Sequence, residues 1–190
     1  MKIISIVGIS IVALTAVAIV AQSHKPITSG KSVPVVDAKG NLRVPANYQT
    51  SYEYLGSWAI AADQGQGSQQ LHNVYASPGT IEAYRKSGRF PDGTVLVKEV
   101  FETATKSMTT GTVSHANKLK GWFVLVKDSK NSHAGNPLWG DGWGWSWFDA
   151  DKPLKTTSTN YKTNCLSCHE PARGSDLIYV EGYAPLSSAH

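Results

Sequence analysis

The sequence predicts a mainly β (α+β) domain, in which an antiparallel sheet forms the body and one or two short helices are added to it. Two observations predict this class. Most of the patterned segments alternate apolar and polar residues with a period of two and end in Gly, Pro, Asn or Asp. Only one segment carries the start and stop signals of a helix, and the chain has neither a heptad pattern nor an internal repeat.

Four segments have the strand pattern. Alternation places Leu96, Lys98 and Val100 on one face of the second strand, which follows a Pro-Asp-Gly turn. It places Phe123 and Leu125 together on one face of the third strand, and the three tryptophans of the fourth strand also share a face. The predicted strands are residues 71–76, 94–101, 122–127 and 143–148, and residues 65–70 are predicted as a loop.

One short helix is predicted between the first two of these strands. Ser77 is a suitable N-cap, Pro78 suits the first helical position, and Gly88 suits the C-terminal stop. The helical period then places its inner side along Ile81, Tyr84 and Arg85.

The first 21 residues have the character of a secretory signal. One lysine precedes an uncharged apolar run over residues 3–21, with alanines where a signal peptidase would cut. Because the run is nearly long enough to span a bilayer, an uncleaved membrane anchor is the alternative. Residues 22–34, rich in Ser, Lys, Pro and Gly, are predicted as a flexible tether, and residues 35–190 as one domain. We therefore expect export and a periplasmic location, with or without the anchor.

Charge and cysteine content narrow the classes further. The formal net charge is +4 at pH 7, and no basic run is interleaved with aromatic residues, so we expect no nucleic-acid partner. The chain has two cysteines, Cys165 and Cys168, and both belong to one motif. We therefore expect no structural disulfide, although exported proteins often carry them.

Residues 165–169 read Cys-Leu-Ser-Cys-His, the C-x-x-C-H pattern of covalent haem attachment. Two thiols at this spacing can add to the two vinyl groups at one edge of the macrocycle, and His169 then turns under the ring to ligate the iron. A redox dithiol would be expected in a βαβ setting, and a zinc site would need further clustered Cys or His. Neither is present, so the motif predicts one haem c, attached through Cys165 and Cys168 and ligated by His169.

The position of the motif near the C-terminal end excludes two common classes of haem c protein. Small electron-transfer cytochromes have the motif near the start and a methionine ligand downstream, whereas Met108, the sole methionine after the initiator, lies upstream. Helical cytochromes c-prime have the motif at the end but are four-helix bundles. This sequence lacks four long amphipathic helices, so a β-rich body with a C-terminal haem attachment segment remains.

Several stretches together resemble the cytochrome P-460 family over residues 42–186. Residues 88–99 read Gly-Arg-Phe-Pro-Asp-Gly-Thr-Val-Leu-Val-Lys-Glu, and residues 126–128 read Val-Lys-Asp. After the C-x-x-C-H motif come Asp176 and, at residues 183–186, Tyr-Ala-Pro-Leu. The combination of the Gly-x-Phe-Pro-Asp-Gly-Thr block with a C-terminal C-x-x-C-H carries the resemblance.

The resemblance implies a fold, a cofactor and a chemistry. The fold would be an antiparallel β body, often dimeric, with a five-coordinate haem on His169. Founding members oxidise hydroxylamine and carry a lysine-to-porphyrin cross-link, and we expect a redox partner cytochrome for this chain. Their relatives, the cytochromes c-prime-beta, bind small gases such as nitric oxide. The cross-linking lysine corresponds to Lys98, which the resemblance and its apolar strand neighbours place beside the haem.

The chain also departs from the family pattern. The distal glutamate of the founding members, which accepts protons from the substrate nitrogen, falls on Phe123, and a phenyl ring cannot act as a base. The distal arginine of some members falls on His72, which we interpret as a pocket residue. His115 and His133 are interpreted as surface histidines in loops.

Three functions remain open at this point. The first is an oxidoreductase acting on hydroxylamine or nitric oxide, and the second is a gas-binding cytochrome without turnover. The third is a simple electron carrier, which would need a sixth iron ligand such as Met108 or His72. The resemblance favours the first two functions. Because the distal carboxylate is missing, the preference for oxidation over gas binding becomes smaller.

Overall fold

The computed structural model describes residues 34–187 and confirms the predicted fold class, a mainly antiparallel sheet with a few short helices. Six strands pair in the order β1-β2-β3-β4-β6-β5, and every pair is antiparallel. The strands are β1 (Glu53–Ala61), β2 (Ser68–Ala76), β3 (Val95–Met108), β4 (Gly111–Lys127), β5 (Trp139–Gly140) and β6 (Trp143–Asp149).

The helices are short. One precedes β1, one connects β2 to β3, and the others follow β6. Helix α1 is Tyr48–Ser51 and helix α2 is Thr80–Ser87. After β6, three consecutive turns of helix, Lys162–Leu166, Ser167–His169 and Glu170–Ser175, form what we call the motif segment, because it contains the C-x-x-C-H pattern. A last 3₁₀ turn is Ala184–Leu186.

The sheet has an apolar cluster on each face, as alternation along its central strands requires. One face carries Leu96, Leu125 and Trp145 and packs against the motif segment and the residues that follow it. The opposite face is covered by N-terminal residues that include Leu42 and Tyr48, which pack on Val95, Val97, Val124, Val126 and Phe148.

Strand register brings the predicted site residues into one row. Val74 pairs with Lys98, Lys98 pairs with Phe123, and Phe123 pairs with Trp147, so these side chains cross four strands side by side. The face predicted from alternation in β3 and β4 is therefore a continuous surface of the sheet.

Three of the strand predictions were too short, and two strands, β1 and the two-residue β5, were missed. β2 begins at Ser68, so the predicted loop over residues 65–70 ends earlier, at residue 67. β3 and β4 continue into a long hairpin, exposed over most of its length, that turns between Met108 and Gly111. β1 was missed because its burial does not alternate and its register shifts near Gly56.

Helix α2 confirms the predicted helix but not its N-cap. The Ser77 hydroxyl accepts a hydrogen bond from the Val95 backbone N–H, so it is engaged with β3. The carboxylate of Glu53 caps the helix instead, accepting from the backbone N–H groups of Gly79 and Ile81, each at 3.0 Å. Arg85, predicted on the inner side, is exposed.

The predicted signal segment, residues 1–21, and nearly all of the predicted tether, residues 22–34, lie outside the described residues. Across residues 34–187, no helix combines the length and apolar character required to cross a membrane.

Candidate haem site

The motif segment presents its two cysteines differently. Cys165 is buried against the sheet, whereas Cys168, one helical turn later, is exposed. Burial raises the pKa of the Cys165 thiol to about 11, so this thiol is protonated rather than a thiolate. A thioredoxin-type dithiol acts through a cysteine whose pKa is lowered. The shift at Cys165 therefore has the wrong sign for that chemistry.

His169 is held by a hydrogen bond that fixes which ring nitrogen is free. Its Nδ1 lies 2.6 Å from the Leu177 carbonyl oxygen, and a carbonyl can only accept, so Nδ1 carries the hydrogen. Nε2 is then left with a lone pair, as a metal-ligating imidazole needs. Burial lowers the pKa of His169, which favours this neutral form. The Trp145 ring packs edge-on against the imidazole, with 4.9 Å between the ring centres.

The motif segment and the sheet enclose the cavity into which His169 and both cysteines face. It consists of two lobes of about 330 and 390 Å³, within the size range of protein ligand sites. Both lobes are lined by the same central set of residues, which are His72, Lys98, Phe123, Leu125 and His169.

Lys98 lies at the centre of this cavity wall without a polar partner. Within residues 34–187, it forms no hydrogen bond or ion pair with a side chain, and its Nζ lies 4.4 Å from the centre of the Phe123 ring. Burial lowers the pKa of the Lys98 amine, because removal from water disfavours the ammonium form. An amine so placed is suited to contact an aromatic ligand in the cavity.

Phe123 and His72 form the wall on either side of Lys98. The Phe123 ring packs on Trp147, with 4.6 Å between ring centres, which makes this part of the wall apolar. His72 Nε2 lies 3.0 Å from Gln70 Oε1 and donates to it, since an amide oxygen only accepts. Burial, and secondarily the Lys98 charge, lower the pKa of His72 to about 4, so its imidazole is neutral near pH 7.

The donor set and the charge of the cavity fit a haem. The side chains available for attachment and ligation are those of the C-x-x-C-H motif, and the walls are largely apolar. Among the described residues, no carboxylate lines either lobe, whereas two lysines, Lys98 and Lys120, do. A lining without acids, with Lys120 as a cation, is suited to the two propionates of a haem.

Sequence reasoning missed several residues that complete the cavity. Trp58 and Ile60 come from β1, which was not predicted, and Ile178 and Tyr179 come from the irregular chain after the motif segment. Gln70 was assigned to a loop, but it lies on β2 beside His72. The period-two pattern of β6 was a usable signal, because it placed Trp145 and Trp147 on the face that lines the cavity.

The remaining candidates lie elsewhere. Met108 is at the tip of the β3–β4 hairpin, half exposed, and lines neither lobe. His115 is exposed as expected but lies in β4 rather than in a loop. His133 lies in a loop but is half-buried, because its ring packs on Trp139 with 4.0 Å between ring centres.

The fold and the site together define a β-sheet protein with a site for a c-type haem. A family model described as Cytochrome P460 matches residues 45–180, which is more than half of the chain and includes the sheet and the motif segment. The chain belongs to the cytochrome P460 family, and it is accordingly a cytochrome with a c-type haem and its iron. No curated protein matches the chain.

Proposed function

We propose that this protein is an exported, periplasmic cytochrome with one covalently bound haem c that binds hydroxylamine and nitric oxide at an open iron position and oxidises hydroxylamine slowly. The observation that carries the proposal is the cavity itself. The cavity that would hold the haem is lined by His169 and by a mostly apolar wall that includes Lys98, Phe123 and His72. Such a wall suits small uncharged ligands bound to the iron beside it, and hydroxylamine and nitric oxide belong to that class.

The bound haem supplies the iron at which the ligand nitrogen binds and the path by which electrons leave. The chain positions this group through Cys165, Cys168 and His169. Lys98 is the residue we assign to the porphyrin edge, because its amine faces the cavity and burial favours its neutral, nucleophilic form. Phe123 and Trp147 keep water away from the same wall.

Proton removal is the step at which this chain is poorly equipped. Oxidising hydroxylamine to nitric oxide releases one proton for every electron, so a base must stand near the substrate nitrogen. Phe123 cannot be that base, and among the described residues no carboxylate lines the cavity. His72 is neutral near pH 7, and its Nδ1 is free to accept a proton while Nε2 donates to Gln70. We therefore expect slow oxidation, with the electrons passed to a partner cytochrome.

One observation favours a second function, nitric oxide binding without turnover, as in the cytochromes c-prime-beta. Phe123 pairs with Lys98 in the sheet register and packs on Trp147, so the side chain beside the lysine is wholly apolar. A pocket of this kind binds a diatomic gas without needing a base.

An anaerobic assay of hydroxylamine oxidation with an artificial one-electron acceptor tests the proposal. We expect slow turnover by the haem-loaded protein and an increase of about a hundred-fold or more in Phe123→Glu, because a positioned general base is worth on the order of 10² to 10⁴ in rate. Phe123→Leu, which also removes the ring but adds no carboxylate, is the matched control and should not gain.

The outcomes separate the two functions. Nitric oxide binding with no hydroxylamine turnover in either the natural protein or Phe123→Glu would favour the gas-binding function. Brisk turnover by the natural protein, or an equal gain in Phe123→Leu and Phe123→Glu, would show that Phe123 does not occupy the position of the missing base.

A further inference from the structure

A buried ion pair lies behind the motif segment, outside the cavity. Lys127, the last residue of β4, extends its Nζ to within 2.7 Å of Asp176 Oδ1. Both side chains are almost fully buried, with 8% and 12% exposure. The second carboxylate oxygen of Asp176 has no partner among the described residues. Removing two charges from water costs free energy, so a buried pair is better explained by the geometry that it fixes than by a net gain in stability.

The sheet holds both members of this pair in place. Lys127 pairs with Trp143 across β4 and β6, and its Nζ lies 4.8 Å from the centre of the Trp143 ring. The same indole donates from Nε1 to the Asp176 carbonyl oxygen at 2.9 Å. Gly142 leaves the space for this arrangement, because a Cβ there would lie 2.9 Å from Lys127 Nζ.

The backbone at Asp176 has an unfavourable conformation that the pair accounts for. Asp176 has φ 64° and Leu177 has φ 65°, so two consecutive residues other than glycine are in the left-handed region. Such conformations persist where surrounding contacts determine them. Here the side chain and the carbonyl of Asp176 are both fixed to the sheet.

The consequence of this turn appears at the next carbonyl. Leu177 directs its carbonyl oxygen at His169 Nδ1, at 2.6 Å, and its own N–H bonds to the Ala172 carbonyl in the motif segment. Asp176 is thus the last residue fixed to the sheet before the carbonyl that orients the imidazole.

We propose that Lys127 and Asp176 are positioning residues for the axial histidine: the hydrogen bond from the Lys127 amine to the Asp176 side chain fixes the turn whose Leu177 carbonyl orients His169 and strengthens it as a donor to the haem iron. A hydrogen bond from Nδ1–H to an acceptor raises the basicity of the ligating nitrogen. Neither residue lines the cavity, so neither contacts a group bound there, and the path from them to the iron that we propose runs through His169.

Resonance Raman spectra and reduction potentials of the haem-loaded protein test this assignment. Lys127→Met removes the ammonium at similar length, and Asp176→Gly removes the carboxylate while keeping a residue that accepts a positive φ. In both variants we expect a lower iron–histidine stretching frequency. We also expect a shift of about ten-fold in favour of the ferrous form, in line with the usual effect of outer-shell partners of metal ligands. That shift equals about +59 mV for a one-electron couple.

Asp176→Asn is the conservative variant. Asn tolerates the left-handed region and retains an oxygen that can accept from Lys127, so its iron–histidine frequency should stay close to that of the natural protein. Val124→Ala, a cavity-forming change in the buried core of the opposite face, controls for general destabilisation. It should lower the melting temperature without moving the frequency.

Two results would overturn the proposal. One is an unchanged iron–histidine frequency in Asp176→Gly, which would mean that the turn holds without the hydrogen bond from Lys127. The other is a frequency in Asp176→Asn as low as in Asp176→Gly, which would mean that the negative charge, not the position of the turn, acts on the histidine. If Lys127→Met fails to fold, the comparison of the two Asp176 variants decides the question by itself.

Discussion

Two adjacent charged residues on β3, Lys98 and Glu99, face opposite sides of the sheet and are treated in opposite ways. Glu99 is 2% exposed, and its carboxylate accepts hydrogen bonds from Tyr48 Oη and Gln49 Nε2, each at 2.5 Å, and from Asn73 Nδ2 at 3.2 Å. Lys98 has no such partner within residues 34–187, and its nearest aromatic neighbour is Phe123. One charge is fully satisfied by the protein, and the other faces a cavity.

The difference distinguishes a structural charge from a functional one. A buried polar group without partners costs free energy, and natural structures keep such groups mainly where function requires them. Glu99 and its three donors satisfy one another's hydrogen bonds, so the fold alone explains them. Lys98 is half-buried and lines a cavity that also contains the C-x-x-C-H motif, so a ligand in that cavity accounts for its position.

The largest expected effect concerns the haem site, which contains Lys98. Replacing both Cys165 and Cys168 by Ala should abolish retention of haem through acid extraction, because thioether bonds survive denaturation and axial ligation does not. Ser167→Ala, between the two cysteines, is the control and should retain haem. The sheet should still form in the double variant by circular dichroism, because the cluster on the opposite face contains neither cysteine. Haem that leaves the natural protein on acid extraction would contradict covalent attachment.

A smaller effect separates the two charges directly. Glu99→Leu leaves the buried Tyr48 hydroxyl and the side-chain amides of Gln49 and Asn73 without their acceptor, and it should lower the free energy of unfolding by about 2–4 kcal/mol. Lys98→Met keeps the length of the side chain and removes no hydrogen bond, so it should change that free energy by less than about 1 kcal/mol. Urea denaturation of both variants measures the two values. An equal decrease in the free energy of unfolding in both variants would contradict the distinction between a structural Glu99 and a functional Lys98.

The smallest expected effect is a pH dependence at His72. Its pKa is lowered from 6.5 to about 4 in the folded protein, so the folded state resists protonation more than the unfolded state. Its contribution to stability is therefore complete above pH 6.5 and is lost as the pH falls toward about 4. In His72→Gln the melting temperature should fall less steeply over this range than in the natural protein. His115→Gln, which changes an exposed histidine, should follow the natural protein, and an identical slope in His72→Gln would contradict the assignment.

The fold was predictable where turn residues bound a run of strand-forming residues. Lys98 and Phe123 were placed on one surface with Leu96, Val100 and Leu125 because residues two apart in a strand share a face. β1 was not predictable, because a register shift beside Gly56 interrupts its pattern. The outer part of the β3–β4 hairpin was also missed, since a ribbon exposed to solvent needs no apolar alternation.

The site was predictable where chemistry fixes the spacing of residues along the chain. The C-x-x-C-H motif could be recognised from the sequence alone. The strand period was enough to predict which face of its strand Lys98 occupies and which face Phe123 occupies. The Leu177 carbonyl that orients His169 was not predictable, because it depends on two left-handed residues and on an ion pair to a distant strand. Backbone groups leave no pattern in the side-chain sequence.

The absorption spectrum of the reduced protein, recorded before and after addition of nitric oxide, tests most directly the claim that the haem held by His169 has an open iron position. We predict a high-spin, five-coordinate ferrous spectrum that changes on addition of nitric oxide, with a strongly red-shifted Soret band if Lys98 is bonded to the ring. A low-spin spectrum that nitric oxide leaves unchanged would contradict the account. It would show that a side chain already binds the iron as its sixth ligand. His72 would be the first residue to replace.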